Sequence, residues 1–185
     1  MIDEIMADTK TRMKKSIAAV KVELAKIRTG RATPGLLDHV VVSYYGNDVP
    51  LNQAATISVS DARTLSVQAW EKNMVPTIEK AILESQLGLN PVTAGEVVRI
   101  PIPSLTEERR REMTKLVRTE GENGKVAIRN IRRDAISHAR DLVKNKDIGQ
   151  DDEKKGVEQI QSLTDQYTVE IDVLIKEKEA EIMEV

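Results

Sequence analysis

From Met113 to Leu142 an apolar or small residue returns at every third or fourth position: Met113, Val117, Gly121, Gly124, Ile128, Ile131, Ala135, Ala139 and Leu142. At about 100° per residue these positions fall on one narrow stripe of an α-helix, a period that a strand does not reproduce. The stretch from Ser104 to Lys146 is therefore predicted to be a single helix, and roughly 40 residues would make it about 60 Å long. A helix of that length buries its stripe only against other long helices. Its start is marked by the capping-box spacing of Ser104 and Glu107, with Thr106 as an alternative N-cap. Gly121 and Gly124 both lie on the stripe, and each costs about 1 kcal/mol relative to Ala inside a helix. Their placement predicts either close approach by a neighbour or a local weak point between Glu120 and Gly124.

A second stripe lies about a quarter turn from the first. Arg111, Arg118, Lys125, Arg129, Arg132, Arg133 and Arg140 share it, and few acids interrupt the sector between Lys125 and Arg133. A charged helix face is commonly no more than a solvated surface. Arginine weighs against that reading, because its planar fork grips phosphate at two points. Net charge of -2 conceals the pattern. Taking Lys and Arg against Asp and Glu, residues 1–31 carry +4, 32–104 carry −3, 105–146 carry +5 and 147–185 carry −8. Two positive segments could then form one positive surface with the acidic segment elsewhere, and a structured RNA read by backbone and shape is the natural partner for such a rigid edge.

Two more helices complete a bundle. Residues 2–29 place Met6, Met13, Ile17, Val20, Leu24 and Ile27 at three- and four-residue steps, with Gly30 as the expected C-cap. Arg28 and Arg31 then fall near the negative end of the helix dipole, a stabilising position; a ligand-binding role is the alternative for both. At the other end of the chain Gly149 can close one helix and Asp151 cap the next, which sets Val157, Ile160, Leu163, Tyr167, Ile171 and Leu174 on a seam. Asp151, Asp152 and Glu153 read as helix-start acids, since consecutive positions cannot easily converge on one metal ion.

Between the first two helices the period changes. Leu37 to Tyr45, Ala54 to Val59, Leu65 to Trp70 and Glu96 to Ile102 are strand candidates, with Ser60 to Arg63 as a turn in which Asp61 and Arg63 form a local hydrogen-bonded corner. Pro76 suits the first turn of a short helix carrying Ile78, Ile82 and Leu83, and Gly88 suits its C-cap. The predicted class is α+β: a long three-helix bundle (1–30 and 105–185) with a small β/α/β domain (31–104) inserted. Arg31, Ala32, Thr33 and Pro34 lead into the insert, and Pro101, Ile102, Pro103 and Ser104 lead out. Two parallel linkers permit bending while limiting free rotation, so these residues are the expected hinge.

Several function classes drop away. With no cysteine there is no disulfide and no thiolate chemistry. His39 and His138 have no evident carboxylate or nucleophile partner, no glycine loop cradles phosphate, and no catalytic set can be assembled, so neither enzyme activity, metal nor cofactor is expected. The aromatics are Tyr44, Tyr45, Trp70 and Tyr167 alone, too few for a base-stacking platform. Apolar runs are short and the chain opens with acids where a secretion signal carries bases, which points to a cytoplasmic protein that does not enter membranes. A scaffold whose acidic third helix pairs with another helical protein remains the competing reading.

Arg28-Thr-Gly-Arg-Ala-Thr-Pro34, Tyr44-Tyr-Gly46, Pro50-Leu-Asn-Gln53, Asp61-Ala-Arg-Thr-Leu65, Leu87-Gly-Leu-Asn-Pro91, Leu105-Thr-Glu-Glu-Arg-Arg110 and Lys125-Val-Ala-Ile-Arg-Asn-Ile-Arg-Arg-Asp-Ala135 occur in this order and spacing. The chain so resembles the bacterial ribosome recycling factors (ribosome-releasing factors) over nearly its whole length. The resemblance implies a two-domain, L-shaped monomer that binds the 70S ribosome, chiefly large-subunit rRNA, through its bundle. With elongation factor G and GTP, such factors split the post-termination ribosome into subunits. It further implies Arg132 as the principal RNA contact with Arg129, Arg133, Arg110 and Arg28 beside it; Lys125, Arg118 and Arg31 join them as candidates. Ala69, where proline is expected before Trp70, and the two helix glycines depart from the family pattern.

Overall fold

The computed structural model describes residues 1–184 and divides into two compact units: residues 1–29 with 107–184, and residues 30–106. Val185 lies outside the described residues.

The first unit is a three-helix bundle of α1 (Ile2–Ala25), α3 (Glu107–Lys144) and α4 (Gln150–Met183), the label α2 belonging to the insert. Each helix packs on the other two. Partners run in opposite senses along α3 and α4, from Arg118 with Glu179 to Arg140 with Glu153, so these two are antiparallel. Met13, Ile17, Ile128, Ile131, Tyr167 and Ile171 form the centre of the core. The α3 stripe is buried from Met113 to Ala139, as its period requires.

Both glycines lie in unbroken helix, and the close-approach alternative is the one realised. A Cβ on Gly121 would lie 2.1 Å from Ile175 Cδ1, and one on Gly124 would lie 2.4 Å from Val20 Cγ2. Here α1 and α4 press against bare α3 backbone.

Helix ends differ from expectation. The first helix stops at Ala25, capped by Lys26, not at residue 29; Gly30 (φ 75°) lies beyond it in the connection. Arg28 and Arg31 are thus outside the helix, beyond the last turn where its dipole acts most strongly. The long helix starts at Glu107, which places Thr106 and not Ser104 at the cap position. It ends at Lys144 with paired bonds, Asp147 N–H to Leu142 O and Lys146 N–H to Val143 O, around a left-handed Lys146 (φ 63°). This is a Schellman closure made without glycine. Gly149 is the N-cap of the last helix, a role expected of Asp151, while Asp151, Asp152 and Glu153 sit in its first turn. Since a left-handed L-residue costs roughly 1–2 kcal/mol, Lys146→Gly is expected to raise stability by about 1 kcal/mol, read as a higher urea midpoint at unchanged slope.

The α4 seam is shifted. Gly156, Ile160, Thr164, Tyr167 and Ile171 are buried, while Val157, Leu163 and Leu174 are half-buried. Thr164 tolerates burial because its hydroxyl donates to Ile160 O at 2.8 Å within its own helix.

The second unit holds β1 (Val41–Tyr44), β2 (Asn47–Pro50), β3 (Ala55–Asp61), β4 (Thr64–Ala69), α2 (Val75–Glu84), β5 (Val92–Ala94) and β6 (Val97–Pro101). β1 and β2 form a two-stranded sheet; the other four form an antiparallel sheet ordered β3-β4-β6-β5. Leu37, Leu51, Leu65, Val67, Ile78, Ile82, Val98 and Ile100 fill one core. β2 and β5 were hidden because each is short and bordered by turn residues: Tyr45 (φ 50°) and Gly46 (φ 82°) make a two-residue hairpin into β2, and Gly95 makes another out of β5. Of the three residues expected on α2, Ile78 and Ile82 are buried and Leu83 is 55% exposed, and α2 ends at Glu84 with Ser85, not Gly88, as its C-cap.

Candidate nucleic-acid interface

The cationic stripe of α3 is present, and the acidic helix does not lie away from it. It flanks it. Arg118 Nε lies 2.7 Å from Glu179, Lys125 Nζ 2.5 Å from Asp172, and Arg140 Nε 3.8 Å from Glu153, all across to α4. The expected segregation of charge is thus corrected: with α3 and α4 antiparallel, every second turn of one helix meets a fixed position on the other. Within α3, Arg111 pairs with Glu107 at 2.6 Å and Arg129 with Glu122 at 2.7 Å. The Arg129 guanidinium, through its hydrogen bond first and its charge second, holds the Glu122 carboxyl below the usual range. Arg133 donates to Asn130 Oδ1. On the α1 side Arg12 pairs with Asp134 at 2.8 Å. These pairs are exposed or half-exposed, and such pairs contribute little to stability.

Two arginines stand apart. Arg132 Nη1 donates to the neutral Gln161 Oε1 at 3.1 Å, and Gln161 in turn donates to Asp165 at 2.8 Å. The Arg132 Nε–H is buried without a partner, and so is that of Arg110. Among the described residues neither arginine has a carboxylate within ion-pair distance. Arg28 and Arg31, both exposed, also lack one. The stripe is therefore two populations, cations engaged by the protein's own acids and cations left with full charge.

The connections into and out of the insert meet one turn. Ala32 N–H donates to Ala62 O at 2.8 Å and Ile102 N–H to Arg63 O at 2.7 Å, so adjacent carbonyls of the β3–β4 turn hold both linkers. Arg63 also donates to Ser104 Oγ. Pro34 opens a short 3₁₀ turn, with Thr33 extended at its cap, and Pro101 is the last residue of β6. Asp61 Oδ1 accepts from Arg63 N–H at 2.9 Å, the local corner the spacing suggests. That bond leads the causes that lower the Asp61 pKa, ahead of one from Thr64. A value lower in the folded state than in the unfolded means that ionised Asp61 steadies the turn above the ordinary carboxylate range, and the effect is lost as pH falls through the folded value. Asp61→Ala is expected to speed amide exchange at Ala32 and Ile102 about tenfold at neutral pH while core amides of β4 and β6 are unchanged.

Elsewhere in the insert Tyr44 and Tyr45 donate to the two oxygens of Glu71 at 2.7 and 2.5 Å. These bonds lower the Glu71 pKa and raise both phenols. Among the described residues no three His, Cys, Asp or Glu side chains are grouped to hold a metal ion, and no helix is long and apolar enough to cross a membrane.

Fold and charge define a class: α+β proteins in which a small β-rich unit is inserted into a long three-helix bundle with an arginine-rich helix. The family model for ribosome recycling factor matches residues 20–183. Ribosome-recycling factors of Nitrosospira multiformis, Legionella pneumophila and Azoarcus sp. are 58%, 57% and 56% identical over 185 residues, the full length of both chains in each case. A solution structure of a ribosome recycling factor is 42% identical with a TM-score of 0.72, covering 100% of this chain and 98% of that one. The T. thermophilus ribosome recycling factor, described together with the E. coli elongation factor G bound to the E. coli post-termination complex, is 46% identical with a TM-score of 0.64 and full coverage of both chains. The chain belongs to the ribosome recycling factor family.

Proposed function

We propose that the α3 edge binds large-subunit rRNA through phosphate contacts, and that with elongation factor G and GTP the chain splits the post-termination ribosome into subunits. The observation that carries this is the pair Arg110 and Arg132. Each is half-buried, without an internal carboxylate, and has an orphaned Nε–H. An unpaired buried donor costs about 1–3 kcal/mol. A phosphate oxygen pair on Nε and Nη, reached by a small side-chain rotation, would satisfy it in the bidentate manner arginine favours. Arg129, Lys125 and Arg118 lie beside this core contact with charge partly neutralised by Glu122, Asp172 and Glu179, and Arg133, bonded among the described residues only to the neutral Asn130, adds a further cation. Arg28 and Arg31 add exposed cations.

The role is that of a translation factor acting as a monomer in the cytoplasm, with the energy of GTP supplied by its partner. The two linkers act as the hinge. Within residues 31–34 and 101–104, Ala32, Ile102 and Ser104 are tied to the β3–β4 turn, so bending requires these bonds to hold while the residues next to them turn. Three acids of α4, Glu153, Asp172 and Glu179, are engaged by α3, which narrows the acidic surface on which the scaffold reading relies.

The test is a subunit-splitting assay on post-termination ribosomes. With elongation factor G and GTP, this chain is expected to convert 70S particles to subunits in a sucrose gradient. Unchanged 70S particles over the same time would refute the reading.

A further inference from the structure

On the side of the bundle formed by α1 and α4 lies a groove of about 460 Å³. Lys10, Lys14 and Lys21 line one wall and Tyr167 and Glu170 the other, with Ile17 between them. It is chemically unlike the α3–α4 groove. There Lys125 and Arg118 meet acids of α4, and of the lining cations only Lys176 is without one among the described residues; here none of the three lysines has an ion-pair partner among the described residues. Tyr167 is only 4% exposed; its hydroxyl has no hydrogen-bond partner among the described residues and is not among the atoms buried without one, so it reaches solvent. A phenol whose ring is packed in the core and whose hydroxyl opens to solvent in the groove keeps a donor free for a ligand.

We propose that this α1–α4 groove is a second RNA-binding surface, in which the three lysines and the Tyr167 hydroxyl take the phosphates of one strand. The groups match in kind: ammonium and phenol donate, and phosphate oxygens accept. They match in length too. Lys10 to Lys21 spans about 16 Å of helix, close to five nucleotides at about 3.4 Å each. Burial, followed by the Glu170 charge, raises the Tyr167 pKa, so the phenol stays protonated and able to donate at neutral pH. An acidic peptide fits less well, because its backbone N–H groups would find few acceptors beyond Glu170. Together with the α3 edge, the groove would let the bundle engage RNA on two faces; it rests on the ribosomal reading for its partner but on separate residues for its chemistry.

Binding of the full chain to isolated large ribosomal subunits is measured between 50 and 200 mM salt, about the range over which phosphate contacts separate clearly. For the triple variant Lys10→Gln, Lys14→Gln, Lys21→Gln the log–log salt slope is expected to fall in magnitude by about 2–2.7, from roughly 0.7 to 0.9 per lost phosphate contact. Tyr167→Phe keeps the packed ring and is expected to weaken binding several-fold at every salt concentration with an unchanged slope and melting temperature. A photo-crosslinker attached at Ala18→Cys, in an otherwise native chain, is expected to capture rRNA. A folded triple variant with the native slope, or a crosslink that goes to ribosomal protein, would overturn the groove while leaving the α3 edge untouched; failure of the native chain to bind subunits would overturn both.

Discussion

Gly124→Ala is expected to destabilise the protein by about 1–2 kcal/mol, although in an exposed helix the same change would stabilise by about 1 kcal/mol. The added Cβ would lie 2.4 Å from Val20 Cγ2 and 3.3 Å from Ile171 Cδ1, so helices α1 and α4 must both give way. Overpacking of this kind costs about 1–3 kcal/mol, enough to exceed the gain in helix propensity. Val20 is β-branched and cannot fold its methyl aside cheaply. The double variant Gly124→Ala, Val20→Ala separates the two effects. With the methyl removed, the step from Gly to Ala at 124 should become neutral or stabilising, a coupling readable from a double-mutant cycle in urea. If Gly124→Ala alone is stabilising, the close approach is not what fixes glycine there.

Arg132→Ala is expected to weaken binding to large ribosomal subunits by about 10- to 100-fold, the scale of one charged hydrogen-bonded contact. It should not lower the melting temperature. The native Arg132 gives up one bond to Gln161 but also carries an unsatisfied buried Nε–H, and removal of both roughly balances. Equilibrium sedimentation of labelled chain with subunits, beside thermal unfolding, reads both quantities. Early unfolding of the variant would make Arg132 a structural residue.

Much of this architecture can be read from periodicity. The α3 stripe was legible residue by residue because a long helix between two others must bury one unbroken row. The α4 seam was less so: Thr164 and Gly156 are buried there, one by bonding its own helix and the other by lying 3.2 Å, from its notional Cβ, to Ile2. Neither residue type announces a core. Strands β2 and β5 escaped because Asn47–Pro50 and Val92–Ala94 are too short for alternation to show. Lys146 closes a helix in a conformation normally left to glycine, so the end was placed too late.

The charged edge was half legible. Positions on α3 could be mapped to a sector from sequence alone, whereas partners across helices could not, because they depend on the register between α3 and α4. That register decides which cations are neutralised. Arg118 meets Glu179 and Lys125 meets Asp172, but Arg132 meets Gln161. The same blindness hid the α1–α4 groove, whose lysines look ordinary until their lack of partners is seen.

The account stands on the claim that the arginines without internal acids carry the RNA contact. The direct measurement is the salt dependence of large-subunit binding for two double variants: Arg110→Ala, Arg132→Ala, and the charge-neutral Arg118→Ala, Glu179→Ala. The first should lower the log–log slope by about 1.4–1.8, two phosphate contacts' worth, and the second should leave it near the native value. A native slope in the first variant, or an equal loss in the second, would contradict it.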